Sequence, residues 1–88
     1  MDVIDFTPVR RADIKPAELA QLVGVGRVTC SVWMNGHKQP HILIQDKVRA
    51  VIDAISEATQ SGLLPVPVST MRRERAHYIR QAIDQVQH

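Results

Sequence analysis

The chain has 88 residues, 44% of them hydrophobic and 23% charged, with a formal charge of +2 at pH 7. A chain of this length makes one domain and buries only about 60% of the surface it exposes when unfolded, which makes association a natural source of extra stability. One cysteine excludes an internal disulfide, no apolar run is long enough to span a bilayer, and the start Met1-Asp2-Val3-Ile4-Asp5 is unlike a signal peptide, so a cytoplasmic location is expected.

Thr7-Pro8 has the form of an N-cap followed by a first helical residue, and predicts a short helix over residues 8–13. Phe6, Val9 and Ile14 would pack it onto the next two helices, and Arg10 and Arg11 either reach phosphates or stay solvated. Pro16 then opens a second short helix with Leu19, Ala20 and Val23 on one side. Ala20 is small enough to let a steeply crossing helix approach. Gly24 tolerates the left-handed backbone of a tight turn, and Val25 plugs that turn. A third helix runs over about residues 27–34, with Cys30 and Trp33 packing it onto the second.

The outward side of this third helix follows from its angular spacing. At about 100° per residue, Arg27, Val28, Ser31, Val32 and Asn35 share an arc of about 140°, Thr29 is at its border, and Cys30 and Trp33 lie opposite. A guanidinium is a bidentate partner for guanine, and a branched apolar side chain can touch a thymine methyl. Residues 19–45 contain no acidic residue, while Arg27, His37, Lys38 and His41 are present. A face without carboxylates approaches phosphates without repulsion.

After Pro40, the spacing of Ile44, Val48, Val51, Ile52 and Ile55 predicts a long helix over residues 41–59, ended by Ser61-Gly62. Residues 63–68, LLPVPV, form an extended connector, because Pro65 and Pro67 each remove a donor and fix φ. Ser69 or Thr70 would cap a last helix over residues 71–86, with Met71, Tyr78, Ile79, Ala82, Ile83 and Val86 as its apolar stripe. That stripe either packs on its own chain or builds a dimer interface; the second is preferred. Arg72, Arg73, Arg75 and Arg80 are assigned to a solvated face.

Residues 14–55 resemble the Cro/repressor-type helix-turn-helix DNA-binding proteins of phages and mobile elements. The resemblance rests on Ala17-Glu18-Leu19-Ala20, on Gly24-Val25, and on Trp33-Met34-Asn35-Gly36 with Pro40 following. It implies an all-α bundle of about five helices and a dimer on a two-fold symmetric operator. By position it implies that Arg27, Val28, Ser31 and Val32 face bases, with Thr29 beside them, and that Asn35, His37 and Lys38 face the backbone. Pro16, Gly26 and Cys30 depart from the usual pattern, which more often has Gln, Ser and a β-branched residue there. The expected organisation is a DNA-binding domain over residues 1–62 and a dimerisation arm over residues 63–88.

The expected function is therefore a sequence-specific repressor that reads double-stranded DNA as a homodimer, without cofactor or metal and without catalysis. Gly24-Val25-Gly26-Arg27 lacks the Lys-Ser or Lys-Thr of a phosphate loop. His37 and His41 have no nearby third ligand, Cys30 has no base placed by sequence, and His77 and His88 follow no pattern. Three aromatic residues are few for stacking single-stranded bases. The alternatives are an antitoxin whose residues 63–88 bind a partner protein, a DNA-bending recombination directionality factor, and an adaptor that has lost DNA binding.

Overall fold

Several helix boundaries follow from local signals. The computed structural model describes residues 3–87, which form α1 (Thr7–Arg11), α2 (Pro16–Val23), α3 (Arg27–Met34), α4 (Gln45–Gln60) and α5 (Arg72–Val86). The all-α class is borne out, and among the described residues there is no strand. Met1, Asp2 and His88 lie outside the described residues.

Helix α1 starts one residue earlier than its sequence suggests. Asp5, not Thr7, supplies the capping oxygen: its carboxylate accepts the Thr7 backbone N–H at 2.9 Å and the Thr7 hydroxyl at 2.6 Å. Those two bonds hold the Asp5 carboxyl below its ordinary range. The helix ends at Arg11, two residues short of the expected Asp13, because Asp13 takes φ 55° after the cap Ala12, while Asp13 N–H bonds Arg10 O and Ile14 N–H bonds Val9 O. This is a Schellman closure with aspartate in the position that glycine usually fills.

Helix α2 opens on Pro16 and α3 spans the predicted residues. Gly24 ends α2 at φ +91°, with its N–H on Ala20 O at 2.8 Å. Asn35-Gly36 ends α3: Gly36 at φ +79° lets its own N–H reach Trp33 O and the His37 N–H reach Val32 O. The chain then returns beneath the bundle, where the Gln39 side chain accepts the Ile4 N–H at 2.8 Å and Pro40 is buried.

The long fourth helix begins later than periodicity alone predicts. His41 is extended, its Nδ1 accepts the Leu43 N–H at 3.1 Å, and Ile42–Ile44 forms a 3-10 turn before α4 starts at Gln45. Ile42 and Leu43 are exposed, so no buried contact draws this turn into the helix. Similarly, neither Ser69 nor Thr70 caps α5; Met71 is the extended residue before it and offers no capping side chain.

The core joins all five helices. Leu19, Val9, Cys30, Val48, Ile55 and Ile79 are its largest fully buried side chains, and Phe6 stacks on Trp33 with ring centroids 6.2 Å apart. Helix α5 packs on both α4 and α2, with Ile79, Ala82 and Ile83 buried inside the chain. The connector contributes as well: Leu64 and Val66 are buried while Pro65 and Pro67 face out, an alternation suited to an extended segment. The stripe preferred as a dimer interface thus packs largely on its own chain. Met71 and Tyr78 fall off it, 53% and 46% exposed.

Candidate nucleic-acid interface

Helices α2 and α3 and the turn between them form one unit whose inner side is held by Leu19, Ala20, Val23, Cys30, Trp33 and Met34, all buried. Val25 is partly buried against the same cluster, as the plug of the turn. With those side chains turned inward, the opposite side of α3 must face out. Arg27, Val28, Thr29 and Asn35 are exposed, Val28 to 70%. Ser31 and Val32 are only half-buried, so the arc is not uniformly open. His37 and Lys38 are exposed in the loop after α3, next to the αL residue Gly36.

The reason for the partial cover is a groove. Arg27, Val28, Ser31, Val32, Asn35 and His37 line one side of a cleft of about 560 Å³. Its other sides come from Lys15 and from α2, with Glu18 and Gln21, and from the first turns of α5, with Arg72, Arg73 and Ala76. Thr29 and Lys38 stand outside it. Asn35 Nδ2 lies 3.5 Å from Ser31 Oγ, one turn apart on the helix.

The electrostatics of this face depend on one buried pair. Glu18 is the acidic residue of α2, and it points inward. Its Oε1 accepts the Lys15 N–H at 2.9 Å, closing the first turn, and its Oε2 accepts Arg75 Nε at 3.0 Å. Arg75 Nη2 donates to Asp13 O at 2.6 Å, and Asp13 Oδ2 lies 3.7 Å away. The hydrogen bond to Glu18 is the largest cause raising the Arg75 pKa above its ordinary value, so the guanidinium stays charged. Arg75 is buried, not solvated as its residue type suggested. A signal was present: Arg75 stands four, seven and eight residues before Ile79, Ala82 and Ile83, on the same helical face.

Sequence spacing brought together the α3 residues but missed Lys15, Gln21, Arg72 and Arg73, because only tertiary packing sets α5 beside α3. Cys30 is fully buried and burial pushes its thiol up to about 11, the opposite of an activated nucleophile. Gly24-Val25-Gly26 joins two helices and follows no strand. Among the described residues, no three His, Cys, Asp or Glu side chains could hold a metal ion, and no helix is long and apolar enough to cross a membrane. No protein family, curated protein or solved structure matches the chain.

Proposed function

We propose that this protein is a sequence-specific reader of double-stranded DNA that represses transcription as a dimer, with α3 lying in the major groove. The observation that carries the reading is the outward side of α3. It offers a long guanidinium, hydroxyls, an amide and an exposed valine, on a unit whose one carboxylate, Glu18, is paired with Arg75. Donors of this kind distinguish base pairs by their major-groove edges. Arg27, Val28, Thr29, Ser31 and Val32 are assigned to bases. Asn35, His37 and Lys38 are assigned to the phosphate backbone, which fixes register without reading sequence.

A two-fold pair of such units would set two α3 helices about 34 Å apart, in successive major grooves on one side of the duplex. Repression is then steric, because a bound dimer occupies the polymerase's path. A surface that joins two copies would fall outside the Ile79 stripe, which is used within the chain; Leu43, 85% exposed, and Ile42 are apolar residues left open in the turn before α4. The antitoxin reading weakens for the same reason, since residues 64–83 contribute to the core.

The test is selection of bound duplexes from a randomised pool at moderate salt. Enrichment of a symmetric site is expected. Binding that is salt-labile and enriches no sequence would defeat the operator reading and favour an architectural one.

A further inference from the structure

We propose that Arg72 and Arg73, the first two residues of α5, grip the DNA phosphate backbone beside the major groove that α3 reads, with Lys15 lining the same cleft. The inference rests on the reading of α3 as the base-contacting helix. It makes the C-terminal helix part of the DNA-binding surface, where sequence alone placed these arginines on a solvated face.

Four arginines lie on α5, and the fold treats them differently. Arg75 is buried on Glu18 and on the Asp13 carbonyl, and Arg80 donates to Gln21 O at 3.0 Å. These three bonds fasten α5 to the segment that carries α2. Arg72 and Arg73 are exposed, line the same cleft as Arg27, Val28 and Asn35, and form no ion pair with the described residues. Lys15, which lines the same cleft, is likewise without an ion pair among the described residues.

The cations also stand where the helix itself disfavours them. The N-terminal turn of a helix carries partial positive charge and free N–H groups, so acidic residues are preferred there. In α5 that turn bears Arg72 and Arg73, with Glu74 as its acidic member. No capping side chain serves its N–H groups. A phosphate at this end of the cleft would face the Arg72 and Arg73 guanidinium groups and a helix N-terminus, which offsets the local repulsion; Lys15 lines the same cleft, and the Glu18 carboxylate that also lines it is paired with Arg75. Because Arg75 and Arg80 hold α5 rigidly to α2, these donors keep a fixed position relative to α3. Such a contact adds affinity and register and leaves base preference to α3.

The experiment uses the full chain and the duplex it enriches from a random pool. Affinity is measured across a salt series for the wild type, for the double variant Arg72→Gln/Arg73→Gln, and for Arg72→Lys/Arg73→Lys. The Gln variant is expected to lower the salt slope by about 0.9 for each phosphate it no longer neutralises, with binding weakened alike on specific and non-specific duplexes. The Lys variant should recover most of that slope. Unchanged far-UV circular dichroism and Trp33 fluorescence would show that the exposed changes leave the fold intact. A Gln variant with wild-type affinity and slope overturns the proposal while the reading of α3 stands. An altered base preference overturns the phosphate role. A wild type that binds no duplex overturns both.

Discussion

Arg75 and Glu18 lie 57 positions apart in the chain and meet at 3.0 Å with both side chains nearly excluded from water. The carboxylate accepts from the guanidinium and from the first turn of its own helix, while the guanidinium also donates to a carbonyl in the turn before it. One pair therefore ties α1, α2 and α5 at a single point. It also pairs the one acidic charge of α2, whose Glu18 lines the cleft beside α3.

Breaking such a pair costs more than the pair contributes, because the surviving charge remains buried. Arg75→Ala is expected to lower the unfolding free energy by about 3–5 kcal/mol, measured by urea denaturation. Replacing both partners, as Glu18→Leu with Arg75→Met, should recover most of that loss. The elevated pKa of Arg75 means that its contribution is complete below the ordinary arginine value and fades only as pH rises past it, so no loss from this group is expected between pH 6 and about 10. A cost under about 1 kcal/mol for Arg75→Ala would show that the buried pair is not holding α5 in place.

Gly24 isolates a backbone effect. A β-carbon there would meet Lys47 Nζ at 3.7 Å, an ordinary contact with the flexible end of a side chain, yet the residue sits at φ +91°. Gly24→Ala should therefore destabilise by about 1–2 kcal/mol, and Gly24→Asn by less, since asparagine tolerates the left-handed region better. Equal stability of the alanine and glycine proteins would show that the turn relaxes freely.

Much of this architecture was legible because local rules and global packing agree. Pro16, Gly24, Asn35-Gly36 and Ser61-Gly62 mark helix ends by their own stereochemistry, and the spacing of Val48, Val51, Ile52 and Ile55 marks a buried face. Where sequence reasoning failed, the cause was tertiary or very local. Asp5 competed successfully with Thr7 as a cap, and His41 used its ring nitrogen to stop the helix from starting early. Arg75 was assigned to solvent by residue type although its position lay on the apolar face. The α3 side of the cleft followed from angle alone; Lys15, Arg72 and Arg73 needed the crossing of α5 over α2.

Arg27 and Lys38 should behave differently if their assigned partners are correct. Arg27→Ala is expected to cost about 1–3 kcal/mol and to relax discrimination at one base pair, judged by repeating the duplex selection with the variant. Lys38→Ala should weaken binding evenly across sequences and flatten the salt dependence by about one unit. Uniform weakening by Arg27→Ala would remove it from base reading, and a shifted preference for Lys38→Ala would remove it from a pure phosphate role.

Cys30 gives a prediction that depends on neither DNA nor a partner. It sits on the inner face of α3 with no exposed surface, and burial raises its thiol from an ordinary 9.0 to about 11. The folded state thus holds the proton more tightly than the unfolded chain does. Stability from this group is complete below pH 9 and is lost as pH rises towards 11. Wild type and Cys30→Val, which cannot ionise, should differ in thermal midpoint by a constant amount below pH 9. The wild type should then fall relative to the variant above that value. At pH 8 the native thiol should react with an aromatic disulfide only as fast as the domain opens, so that urea accelerates the reaction in step with unfolding. Rapid labelling of the native protein would mean that α3 leaves the core on its own. In that case the recognition face would be a mobile element, no longer held rigidly by Trp33 and Leu19.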